Sequence, residues 1–400
     1  MLIVQINAVK ELLTVIKTLK EISDKLGVSD DMIRLKGVDE QFLVESSKSD
    51  FYFTSTQISD CVVVEEGTYF ISNQDIKSLV ECANQSGLQS IRLQVSDTEL
   101  VIDGAALGEI KTGVPSNQQP WKRSPLSRED IEWELLLEEE EVIKECLKKI
   151  IDFPKDDLIK LQLKKDDCNL YLSAVDNIGN IYISSKIKLT APAKYDCFFM
   201  VNSLLISKAL TLGKGEIRLY ISKEGDGSIN WEKENKILKL DYPEKSSLTF
   251  YSNKEQPNTL RMYELNYINQ TPAAQLTTQP TDFINIINWQ QFNLLSTDNL
   301  FLRFNNTDKS LQFSKTIETT KEDSKLSISA HTGKWVNNYY SIEALNRVTK
   351  LLNKASLLNL DLIEIEIEED SNYYILLFRP TEAVDGAFQV GISFSELITE

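Results

Sequence analysis

One histidine and five cysteines are all that a chain of 400 residues offers as soft metal ligands. His331 has no nucleophile and orienting acid beside it, so the sequence gives a Ser-His-Asp type of triad no support. Cys61, Cys82, Cys146, Cys168 and Cys197 are an odd set without paired short spacing. They read as reduced thiols rather than as a disulfide framework or a zinc site, which would need cysteines close to His331. Also missing is an apolar run of about 18 residues, the length a spanning helix needs, so no membrane association is expected. The start Met1-Leu2-Ile3-Val4-Gln5 has neither the charged region nor the long apolar core of a secretory signal, and cytoplasmic residence is the expectation. Gly104, Gly108 and Gly113 are too widely placed to form the turn that cradles a pyrophosphate. Cofactors and metals are therefore expected to be none.

Basic residues are in deficit too. With 60 acidic and 43 basic side chains the formal net charge is -17, which excludes a protein coated everywhere in positive potential. Nucleic acid is not excluded, because binding depends on where the cations sit, and helix faces are the place to look.

What the chain does have is repetition. Residues 195–242 read as a short aromatic and branched strand, an apolar-faced helix over 203–211, a Gly-Lys-Gly turn at 213–215 and further strands. The same order recurs at 69–102, with a helix over 74–82, and at 339–379, with a helix over 342–352. A chain of this length is expected to hold about two to four domains. Three fit, over 1–125, 126–260 and 261–400. Consecutive short strands without a helix between each pair favour an α+β class, antiparallel sheets with helices on one face, over a doubly wound parallel sheet.

In chain order, the first helix spans 7–26, with Val9, Leu12, Leu13, Ile16, Leu19 and Ile22 inward and Lys10, Lys17, Lys20 and Lys25 outward. Residues 115–128, rich in Pro, Ser, Gln and basic side chains, mark the first boundary. A helix over 139–151 follows, acidic at its start and with Lys144, Lys148 and Lys149 toward its end. That charge order complements the helix dipole, and the same lysines also suit a phosphate-facing surface. Residues 252–282 carry Asn, Gln, Thr and Pro at high density and form the second connection. The first helix of the third domain is expected only over 289–295, and residues 381–400 read as a tail with enough apolar character at 388–394 to dock.

Carboxylates supply an enzymatic alternative, a metal-dependent hydrolase. Asp166 and Asp167, with Asp176 in its own turn, imitate a catalytic pair, yet adjacency in a polar turn is ordinarily solvation. Glu364, Glu366 and Glu368 alternate along one strand and suit an exposed sheet face as well as they suit a metal. No catalytic residue is assigned, and an enzyme is not expected without a pocket that gathers these groups at reacting distances.

The three recurrent segments, together with Tyr373-Tyr374-Ile375-Leu376-Leu377-Phe378-Arg379-Pro380 as a last strand, resemble the bacterial DNA polymerase III beta subunit, the sliding clamp, over nearly the whole chain. The resemblance implies three clamp-like domains in a closed, homodimeric ring with helices around a hole for duplex DNA. It implies a non-catalytic processivity factor that tethers the replicative polymerase, the clamp loader and clamp-binding peptides during DNA replication. On that resemblance the DNA-facing candidates are Lys10, Lys17, Lys20, Lys77, Lys144, Lys148, Lys208, Lys214, Arg347, Lys350 and Lys354. Ile183, Leu240, Leu377 and Phe378 are the candidates for the pocket that takes partner peptides between domains two and three. The chain departs from the family in its long second connection, its faint third-domain helix and its tail beyond Arg379, next to that pocket. A clamp-derived protein-binding scaffold that does not encircle DNA is the other reading.

Overall fold

The computed structural model describes residues 1–25, 32–48, 52–104, 108–112, 131–136, 140–151, 158–176, 181–194, 196–203, 218–222, 238–242, 246–250, 264, 270–293, 299–314, 324–352, 354, 356–368, 371–382 and 387–393. From the N-terminus the elements are β1 (Leu2–Ile6), α1 (Val9–Lys25), a meander of β2 (Met32–Val38), β3 (Gln41–Lys48) and β4 (Tyr52–Gln57), then β5 (Cys61–Glu65), β6 (Gly67–Ser72), α2 (Asn73–Gln85), β7 (Ile91–Val95), β8 (Leu100–Gly104) and β9 (Gly108–Thr112). The order recurs in β10 (Ile131–Leu136), α3 (Glu140–Ile151), β11 (Leu158–Leu163), β12 (Asn169–Val175), β13 (Ile181–Lys188), β14 (Cys197–Asn202), β15 (Arg218–Ser222), β16 (Leu238–Tyr242) and β17 (Ser246–Phe250). It recurs again in β18 (Ala274–Thr278), α4 (Pro280–Asn293), β19 (Asn299–Asn305), β20 (Ser310–Ser314), β21 (Ser324–Ser327), β22 (Ala330–Gly333), β23 (Asn338–Ser341), α5 (Ile342–Thr349), β24 (Leu358–Glu368), β25 (Ser371–Pro380) and β26 (Phe388–Ser393). The fold is α+β with antiparallel sheets. The helix expected over 203–211 lies outside the described residues, as do the boundary at 115–128 and most of the connection at 252–282.

Two compact units emerge, each assembled from separated stretches of chain. In the first, comprising 1–140, 189–193 and 197–254, one sheet runs β5-β1-β7-β8-β9 and a longer one runs β10-β15-β16-β17-β4-β3-β2-β6. Alternation drives it: β2 buries Ile33 and Leu35 and leaves the intervening residues partly open, as a half-buried strand should. On α1 the apolar spacing puts Val9, Leu12, Leu13, Ile16, Leu19 and Ile22 inside, as their periodicity predicts. α1 packs against α2, whose Ile76, Leu79, Val80 and Ala83 are buried. Arg34, paired with Glu45, lies over the rings of Phe53 and Phe70, so its charge is met by a carboxylate and by two aromatic faces. The longer sheet is joined from two repeats by the antiparallel pairing of β17 with β4, Ser246 opposite Thr56 through Phe250 opposite Tyr52.

In the second unit, comprising 141–188, 194–196 and 255–400, a long sheet includes β11-β12-β13-β26-β25-β24-β18-β22 and a short one runs β21-β20-β19-β23. Its join is β26 against β13, Ile181 opposite Ile392 through Ser185 opposite Phe388. Phe283 of α4 meets Phe313 at 6.1 Å and Phe378 at 5.3 Å between ring centroids, which ties the helix to both sheets. Two expectations fail here. Residues 388–393 are an integral strand between β25 and β13, not a docked tail, because Phe388, Val390 and Ile392 bury one face at period two. And α4 begins nine residues before the expected 289, at Pro280, a residue whose fixed φ and missing N–H suit the first helical position.

Candidate nucleic-acid interface

Helix positions left over after the core is filled decide which cations are presented. Lys10 and Lys17 are exposed on α1, Lys20 is half-buried there, and Lys77 is half-buried on α2. Lys148 is exposed on α3, while Arg347 is half-buried on α5 and Lys350 and Lys354 are exposed at and beyond its end. The side chain of Lys144 lies outside the described residues, as do Lys208 and Lys214. The structure thus gathers Lys10, Lys17, Lys20 and Lys77 on the α1–α2 pair and Arg347 and Lys350 on the α4–α5 pair.

Several of these cations already hold carboxylates. Lys17 Nζ is 2.9 Å from Glu81 Oε1, bridging α1 to α2, and Lys20 Nζ is 3.0 Å from Asp24 Oδ1 one turn on. The Lys17 hydrogen bond holds the Glu81 carboxyl below its ordinary value. Arg347 Nη1 lies 3.5 Å from Asp176 Oδ2. The two lysine pairs are open to solvent and each worth about 0–1 kcal/mol, so a phosphate can compete for Lys17 and Lys20, whereas the Arg347 partner Asp176 is buried.

The partner-peptide candidates are buried. Ile183, Leu377 and Phe378 are at most 1% exposed, and the side chain of Leu240 on β16 lies outside the described residues. Register places Ile183 opposite Val390 and Val390 opposite Phe378, one cross-strand row that fills the core under Phe283. Leu377 has the other parity and shares its face with Asp361 and Arg379. There Gln275 Nε2 donates to Asp361 Oδ1 at 2.7 Å, and Arg379 Nε lies 3.0 Å from Asp361 Oδ2. Burial raises the Asp361 carboxyl and lowers the Arg379 guanidinium, so desolvation outweighs their attraction.

Three acids of the enzymatic alternative, Asp167, Asp176 and Glu364, have structural partners. Asp167 accepts from the Tyr171 hydroxyl and Asn169, each at 2.5 Å; burial and that carboxylate push the phenol up to about 12. Asp176 Oδ1 accepts from the Ile181 backbone at 3.0 Å, and Glu364 accepts from the Tyr374 hydroxyl at 3.0 Å. His331 packs on Phe304 with ring centroids 5.2 Å apart. Among the described residues no group of three or more His, Cys, Asp or Glu side chains is arranged to hold a metal ion.

Two features escaped the sequence reading. Lys160, 5% exposed, bonds Glu264 at 2.5 Å while Ser173 donates to the same carboxylate at 2.8 Å, latching residue 264 to the β11–β12 hairpin. Alternation gave no signal for it, because Lys160 lies on the face of β11 opposite Ile159, Leu161 and Leu163 and is buried there by its partners. The other is Trp289, 64% exposed on α4.

Neither a protein-family model nor any curated protein matches the sequence. Solved structures do match its fold. A DNA polymerase sliding clamp from Bacillus subtilis superposes with a TM-score of 0.72 at 12% identity, covering 99% of each chain. A putative DNA polymerase III beta subunit from Eubacterium rectale gives 0.71 at 9% identity over 99% of this chain and 100% of its own. A Helicobacter pylori beta clamp, bound to a DNA ligase peptide, gives 0.68 at 13% identity over 98% and 99%. The chain has the sliding-clamp fold.

Proposed function

We propose that the chain is a non-catalytic DNA sliding clamp of three domains, 1–125, 126–260 and 261–400, two copies of which close head to tail around duplex DNA and tether replication proteins to it. One observation carries the reading. Both joins between repeats follow one rule, the last strand of a repeat pairing antiparallel with the last meander strand of the repeat before it: β17 on β4, and β26 on β13. Applied once more, the rule leaves the last strand of the first repeat, β9, and the last meander strand of the third, β21. Among the described residues each ends its sheet. A second copy related by a two-fold axis satisfies both edges at once and closes a ring. Edges of this kind are otherwise a liability.

Within such a ring catalysis is not needed. Mobile contacts from Lys10, Lys17, Lys148 and Lys350 to phosphate oxygens supply attraction without sequence choice, and closure prevents lateral escape. The acidic excess then lies on the outside and discourages stray association. The ligase-peptide complex of the Helicobacter pylori clamp motivates a partner peptide at the second-to-third junction here. Sedimentation should give the mass of two chains. Protein placed by a compatible loader on a nicked circle should remain through a salt challenge and run off when the circle is linearised. A monomer without topology-dependent retention, despite a competent loader, defeats the reading and favours the protein-binding scaffold. The absence of any cation on α4 is the observation on that scaffold's side.

A further inference from the structure

Trp289 is the only large aromatic side chain standing open among the described residues. Its helix, α4, carries a single charged residue, Asp282, and presents Asn285, Asn288 and Gln291 to solvent with the indole. α5 packs alongside and ends in exposed Lys350, with exposed Lys354 just beyond. An uncharged face of one aromatic ring and several amides thus belongs to a helix pair whose other member ends in two exposed lysines. A protein-docking hot spot seats its tryptophan in a larger apolar patch. Among the described residues of the second unit no other large apolar side chain is exposed.

Unpaired bases match this surface point by point. Indole stacks on a base face, carboxamides donate to and accept from base edges, and ammonium groups hold phosphates. Duplex DNA hides its base faces in its own stack and offers the indole nothing comparable. We propose that α4 and the end of α5 form a contact for single-stranded nucleic acid, with Trp289 stacking on an unpaired base and Lys350 and Lys354 holding the flanking phosphates. The proposal rests on the clamp reading, in which helices face the nucleic acid, and it adds a preference for the single-stranded side of a primer–template junction.

The test uses the full chain with a thymidine homopolymer and a duplex of equal length, comparing wild type, Trp289→Ala and Trp289→Phe. Base stacking of this kind supports about a tenfold loss of homopolymer affinity in Trp289→Ala, with duplex affinity within about twofold and most binding kept in Trp289→Phe. The emission difference between wild type and Trp289→Phe, which isolates this indole among five tryptophans, should be quenched by the homopolymer. Equal homopolymer affinity in wild type and Trp289→Ala overturns the proposal, and so does an equal loss on both probes. In either case a protein partner becomes the better account of the indole. Retention on the nicked circle, measured in parallel, reports the clamp reading separately, because homopolymer binding needs neither loader nor ring.

Discussion

α1 and α4 each follow the first strand of their repeat, and they bury their faces at the same spacing. Val9, Leu12, Ile16 and Leu19 on α1 correspond to Pro280, Phe283, Ile287 and Gln290 on α4, all buried. In that alignment Lys10, Lys17 and Lys20 meet Thr281, Asn288 and Gln291. What packs against the sheet is held in common, and what faces away has changed from ammonium groups to amides and a hydroxyl. The inward face is fixed by close packing, where a change of one methylene is felt; the outward face answers only to what it touches. One fold therefore carries two different surfaces, and each difference can be altered separately.

The largest effect should come from the shared, buried side. Phe283→Ala removes a ring that touches Phe313 and Phe378 and should cost about 4 kcal/mol, against about 3 for Leu12→Ala, read by urea unfolding. A loss below about 1 kcal/mol at Phe283 would mean that α4 is not held as α1 is. A smaller effect belongs to the outer side. If both helices face DNA, Thr281→Lys, Asn288→Lys and Gln291→Lys together should steepen the dependence of log K on log salt for duplex by about 0.9 for each new phosphate contact. Lys10→Gln, Lys17→Gln and Lys20→Gln should flatten it. An unchanged slope in both sets removes these helices from the DNA surface.

Legibility followed the same division. The faces of α1 and α2 were readable because their apolar residues recur at helical period among lysines and acids. α4 was not, since Asn, Gln and Thr at its exposed positions contrast weakly with Ile and Phe, and the proline read as connection rather than as a first turn. The strand at 388–393 was misread for a related reason: Gly391 interrupts the run, and only its neighbours β13 and β25 show that it is paired along both edges. Candidate cations were legible as residue types, but their partners were not. Glu81 is far from Lys17 in sequence, and Asp176 reaches Arg347 through the fold alone.

The Lys17–Glu81 bridge provides the smallest and most local test. Its hydrogen bond lowers the Glu81 carboxyl, so the folded state favours the ionised form. The contribution to stability is present above the unfolded carboxylate value and is lost as pH falls through the lowered folded value. Lys17→Gln should return the Glu81 titration, followed by carboxyl NMR, toward the ordinary range, with little change in unfolding because both groups are solvated. On the other helix pair, buried Ile76, Leu79 and Val80 align with Leu345, Val348 and Thr349, which sets Glu81 against Lys350 as Lys17 is set against Asn288. The second pair of helices thus has the cation of a bridge without its acid. Asn288→Glu should supply it, and the introduced carboxyl should titrate below the ordinary range as Glu81 does. If it titrates normally while Lys17→Gln moves Glu81, the two helix pairs share a burial pattern but not a crossing geometry, and correspondence between their outer positions fails.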